Sequence, residues 1–115
     1  MADRPDDEHQ DVLRGMWERS RERVQARVGA IEDVVTALAD GPLAEDERER
    51  ARIEAHRLAG LLGTLGVTAG SPVARRLELA LRGCPVRDDA PALQADVQRL
   101  RAIVAAGPGG DAATA

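Results

Sequence analysis

The chain has 115 residues, enough for one domain with a continuous core, and its 43 % hydrophobic content includes a single aromatic residue, Trp17, so Leu, Val, Ile and Ala must fill that core, a palette that favours helices. Sixteen basic residues, all Arg, alternate with twenty acidic ones for a net charge of −4, so no face has the basic excess that a nucleic acid needs, and none is expected as a partner. Cys84 is alone, which excludes an internal disulfide and a structural zinc site, no apolar run reaches the roughly 20 residues of a membrane span, and Met1 to Gln10 is too charged for a signal peptide; a soluble, cytoplasmic, metal-free chain is expected.

Met1 to Asp6 and Gly107 to Ala115 read as flexible ends around a folded unit of residues 7–106. The first helix is predicted from Asp7 to Ala39, because Trp17, Val24, Ile31 and Leu38 recur every seven residues and Val28 and Val35 fill the same stripe. Arg19, Arg21, Glu22, Arg23, Arg27, Glu32 and Asp33 read as its solvated face. Asp40-Gly41-Pro42 ends it.

A second helix is predicted from Ala44 to Leu65, with Glu45, Asp46 and Glu47 at the positive end of its dipole. After a connector, Gly66 to Gly70, Ser71 is placed as N-cap and Pro72 as first residue of a third helix over 72–82, with Val73, Leu77, Ala80 and Leu81 inward. Gly83 and Pro85 break the chain, and Asp88 or Asp89 caps a last helix from Ala90 to Ala105 with the stripe Leu93, Val97, Leu100 and Val104. Four amphipathic helices on short loops predict an all-α, antiparallel up-down-up-down four-helix bundle with a long first helix.

The second helix carries the candidate chemistry. At about 100° per residue, Leu58, Leu62 and Leu65 lie roughly 180° to 240° from His56, with Ala51 and Ala55 near them, so His56 points away from the core. Glu49, Arg52, Ile53, Ala59, Gly60 and Gly63 lie within about 60° of it, a strip almost bare of side chains on its C-terminal side. Glycine inside a helix costs up to about 1 kcal/mol relative to alanine, so two on the solvent side call for a reason other than stability. A histidine that receives a phosphoryl group supplies one: it must offer a neutral ring nitrogen to solvent, and its partner's backbone must come close enough for in-line transfer. A lone surface histidine is more often only a polar residue, and His9, near the N-terminus, is assigned no role.

The run Ala55-His56-Arg57-Leu58-Ala59-Gly60-Leu61-Leu62-Gly63-Thr64-Leu65-Gly66 resembles the H-x-L-K-G…G signature of histidine phosphotransfer domains. Ala74-Arg75-Arg76-Leu77-Glu78 is similar to the A-x-x-L-E segment of the family's next helix, and the likeness covers about a hundred residues. The resemblance implies that His56 is the phosphoacceptor, that Gly60 is kept bare for the partner, and that a receiver domain docks over Ile53, Arg57, Ala59, Gly60, Gly63 and Thr64. It departs from the family at Ala59, where many members carry Lys. A charge to stabilise the phosphoryl group would then come from elsewhere, with Arg52, one turn before His56, the nearest candidate; its other reading is a surface pair with Glu49.

The resulting expectation is a monomeric phosphorelay intermediate of two-component signalling, loaded or unloaded by a sensor or hybrid histidine kinase and a response-regulator receiver domain. It has no cofactor and, lacking a glycine-rich phosphate loop, no kinase activity of its own. An adaptor that keeps the fold but has lost transfer is the alternative, and Ala59 is the feature in its favour. An enzyme is disfavoured because no second acid or base is placed beside His56 from the sequence.

Overall fold

The computed structural model describes residues 5–109, all helical apart from short connections. In chain order α1 is Pro5–Asp40, α2 Glu45–Thr64, α3 Gly70–Arg82 and α4 Ala90–Ala106, with a 3₁₀ turn, Arg87–Asp89, leading into α4. Each helix packs against its chain neighbours and α4 returns to α1, while the backbones of the diagonal pairs stay apart among the described residues: the up-down-up-down bundle. At 36 residues α1 is about 54 Å long, close to the 59 Å long axis of the molecule, so it outruns the other three. Among the described residues no helix is long and apolar enough to cross a membrane.

The core consists of the stripes. Trp17, Val24, Val28, Ile31, Val35 and Leu38 of α1, Leu58 and Leu62 of α2, Leu65 just beyond it, Val73, Leu77 and Leu81 of α3, and Leu93, Val97, Leu100 and Val104 of α4 are all buried. Ala80, expected inward, is half-buried. A fully buried Leu, Ile or Val contributes about 1.5–3 kcal/mol, and a surface ion pair about 0–1 kcal/mol. The stripes therefore hold the bundle together.

Arginines then tie the adjacent helices. Arg27 pairs with Glu54 at 2.8 Å between α1 and α2, Arg48 donates to the Leu81 carbonyl at 2.7 Å between α2 and α3, Arg76 pairs with Asp96 between α3 and α4, and Arg101 with Glu32 between α4 and α1. This corrects the reading of Arg27 and Glu32 as solvated: both are half-buried at helix seams, because neighbouring helices cover the flanks of α1 as well as its stripe.

The helix ends differ from expectation in three places. α1 begins at Pro5, so it includes two residues assigned to a flexible end; residues 1–4 and 110–115 lie outside the described residues. Gly107, assigned to the flexible tail, is buried at a φ of 71°, and a Cβ there would stand 2.8 Å from the Trp17 indole nitrogen, so the chain turns tightly onto Trp17. The expected connector over 66–70 is shorter, because α3 starts at Gly70.

The end of α2 explains that early start. Gly66, at a φ of 82°, donates to the Gly63 carbonyl and Val67 donates to the Leu62 carbonyl, the hydrogen-bond pair of a Schellman turn, closed by the buried side chains of Val67 and Leu62. The chain reverses at once, and Gly70 enters α3 against Leu62. A Cβ at Gly70 would lie 2.7 Å from Leu62 Cδ1, so only glycine permits this approach.

Candidate functional site

α2 holds His56 as its periodicity dictates. With Leu58 and Leu62 fully buried, the imidazole projects outward and its side chain is 64 % exposed. Gly60, one turn on, is exposed, and a Cβ placed there would meet nothing within 4 Å. Packing therefore does not require a glycine at this position, and the helix surface beside the ring is open.

The strip is narrower than the helical projection suggests. Ala59, expected among the exposed docking residues, is 4 % exposed beneath α3. The small residues Ala55, Ala59, Gly63, Gly70 and Ala74 let α2 and α3 approach closely, and α3 then covers the flank of α2 that carries Ala59. Ser71 joins the two helices: its hydroxyl donates to the Ala59 carbonyl at 2.6 Å instead of capping α3, whose N-cap is Ala69. Gly63 is exposed but not free of its own fold, since a Cβ there would lie 3.3 Å from the Ser71 hydroxyl.

The same approach delivers a carboxylate to the histidine. Glu78 of α3 is only 3 % exposed, and its Oε2 accepts from His56 Nδ1 at 3.0 Å and from Arg82 at 2.9 Å, with Arg52 at 3.6 Å. A carboxylate out of water needs such donors, because an unpaired buried charge costs several kcal/mol. A carboxylate oxygen only accepts, so Nδ1 carries the proton, and in the neutral ring Nε2 carries the lone pair. The nitrogen not engaged by Glu78 is the nucleophilic one.

Arg52 lies beside this group, but its Nε donates to both oxygens of Glu49, at 2.7 and 2.6 Å. The pairing lowers the Glu49 carboxyl below its ordinary value and raises the Arg52 guanidinium above its own, each through that hydrogen bond first. Ile53 is half-buried, Arg57 is exposed, and Thr64 is exposed with its hydroxyl folded onto the Gly60 carbonyl at 3.1 Å. Beyond Gly63 and Thr64 the strip opens into a cleft of about 460 Å³ closed by Leu13, Arg14 and Pro108, and His9 lines it.

Sequence reasoning missed the contact of Glu78 with the histidine and of Arg82 with Glu78, and placed no second general acid or base beside His56. A signal was present: on the α3 wheel Glu78 lies about 40° beyond Ala74, on the side away from Leu81, at the edge of the buried stripe, where a charge needs a partner from another helix. Arg82 follows one turn later.

The sequence profile of the Hpt domain family matches residues 7–106. The chain is also similar to Protein RcaC of Microchaete diplosiphon, 32% identical over 82 residues, a stretch that is 69% of this chain and 13% of RcaC. The chain therefore spans a small part of that relative's length. No solved structure matches.

Proposed function

The chain belongs to the Hpt domain family, whose members serve in the phosphorelays of two-component signalling, and from that premise we propose that His56 accepts a phosphoryl group and exchanges it with an aspartate of a response-regulator receiver domain. The observation that carries this reading is the bond from His56 Nδ1 to buried Glu78 beside an open Gly60, which leaves Nε2 as the nucleophile.

In the reaction the Nε2 lone pair attacks phosphorus of the receiver's aspartyl phosphate. The Nε2–P bond forms as the P–O bond to aspartate breaks, and the leaving carboxylate keeps the electron pair. The ring gains positive charge while Nδ1 keeps its proton, and Glu78 faces that charge, as a buried carboxylate steadies a charging imidazole in other catalytic sites. The reverse step returns the group. The receiver's own acidic pocket supplies Mg²⁺, and Ile53, Arg57, Gly60, Gly63 and Thr64 form the face it meets. A sensor or hybrid kinase stands at the other end of the relay, and the chain acts as a cytoplasmic monomer.

Incubation with receiver domains charged by acetyl phosphate tests the proposal. Acid-labile, base-stable label is expected on the wild-type chain and none on His56→Gln; label that survives the substitution removes His56 from the role. The second reading, an adaptor that binds a receiver without transfer, draws on Ala59, which puts no basic residue at the position where the family often has one. It predicts receiver binding with no label on any residue.

A further inference from the structure

Resting on the phosphotransfer reading above, we propose that Arg82 of α3 is the group that binds the phosphoryl oxygens once His56 is loaded, by leaving Glu78 as the ring takes its place.

Three observations converge. Position 59 is an alanine buried beneath α3, so a cation beside the phosphoryl group must come from another position. Two arginines reach Glu78, and they are held differently. Arg52 is 24 % exposed and committed through Nε to both oxygens of Glu49. Arg82 is 60 % exposed, on the last turn of α3, and its hydrogen bond is to the same Glu78 oxygen that receives His56 Nδ1. Its guanidinium is thus one atom removed from the ring, on a long stem open to solvent.

Charge then favours an exchange of partners. Before transfer the ring is neutral and Arg82 balances Glu78. Afterwards the ring carries positive charge at Nδ1–H and balances Glu78 itself, while the phosphoryl group brings about −1.5 to −2. Arg82 is released from one anion as a stronger one arrives, and a guanidinium can hold two phosphoryl oxygens at once. Spontaneous loss of the group passes through a metaphosphate-like state driven by charge on its oxygens, so a guanidinium that holds that charge prolongs the phosphohistidine.

The test needs no partner protein. The wild-type chain, Arg82→Ala, Arg82→Lys and Arg52→Ala are loaded with phosphoramidate, the donor is removed, and the phosphohistidine is followed by ³¹P NMR. Arg82→Ala is expected to shorten its lifetime about fivefold, the scale of a partly exposed charge-assisted contact, Arg82→Lys to recover most of the loss, and Arg52→Ala to lose less than Arg82→Ala. Were Arg82 only a brace for Glu78, its removal would leave Glu78 more negative toward the charged ring and lengthen the lifetime. An unchanged or longer lifetime in Arg82→Ala, or a larger loss in Arg52→Ala, overturns the inference and leaves the phosphotransfer reading standing. Absence of label on the wild-type chain overturns both.

Discussion

His56 and Glu78 lie on different helices, 22 residues apart, and meet at 3.0 Å between Nδ1 and Oε2, one partner exposed and the other 3 % exposed. The buried carboxylate thereby fixes the tautomer of an exposed ring. It also restrains ring rotation, so Nε2 keeps one direction relative to the open strip at Gly60. A surface histidine without such a partner would sample both tautomers and several rotamers, and a nucleophile held in one orientation reacts faster.

Glu78→Leu separates stability from transfer. Removing one partner of a buried ion pair is costly where it strands the other charge out of water, but His56 and Arg82 are exposed and return to solvent, and Arg52 keeps Glu49, so urea denaturation is expected to place this variant within about 1 kcal/mol of wild type. Loading of His56 should nevertheless fall by at least about tenfold, because the tautomer is no longer fixed. Equal loading rates in the two proteins would show that Glu78 does not orient the ring.

Three glycines predict opposite signs for one substitution. Gly60→Ala meets open space in a helix and should raise stability by about 0.5–1 kcal/mol. Gly70→Ala drives a methyl group into Leu62, and Gly107→Ala drives one into Trp17 at a positive φ, so each should cost about 1–3 kcal/mol. Denaturant midpoints of the three variants decide the matter. A destabilising Gly60→Ala would mean that the strip is not empty.

Glu49 sets a pH dependence. Its carboxyl lies below the ordinary value chiefly because of the Arg52 hydrogen bond, so the folded state favours the ionised form. The contribution to stability is present in full above the ordinary glutamate pKa and is lost as pH falls through the lowered one. Thermal unfolding of wild type and Glu49→Gln should therefore differ at neutral pH and converge on acidification. A gap that persists in acid would assign the effect to something other than this charge.

The bundle was legible because Trp17, Val24, Ile31 and Leu38 repeat at seven residues and the other stripes follow their own helical periods. The outward direction of His56 was legible for the same reason, since it depends on one helix alone. Ala59 and Glu78 were not, because a single-helix projection does not say which flank a neighbour covers; α3 covers the Ala59 side and brings its own carboxylate with it. Ser71 has the local sequence of a cap but gives its hydroxyl to the Ala59 carbonyl on another helix, and Gly107 has the local sequence of a tail but lies against Trp17. Each miss is a contact between elements distant in sequence, which local patterns do not encode.

Gly60→Gln tests whether the open strip is a docking face. The substitution lies on the helix exterior with nothing within 4 Å of the Cβ, and glutamine is a better helix former than glycine, so the bundle should be as stable as wild type or more so. Phosphoramidate is small and approaches Nε2 from solvent, so loading from it is expected to change less than about twofold, the range of a surface change that leaves the nucleophile alone. In the proposed reading a receiver domain brings its backbone over the helix, and an added side chain there misplaces the reacting atoms, so transfer from a charged receiver should fall by about a hundredfold. Equal losses with both donors would mean that the glutamine disturbs His56 itself. Retention of both would mean that the receiver approaches by another face, with Gly60 left to no partner.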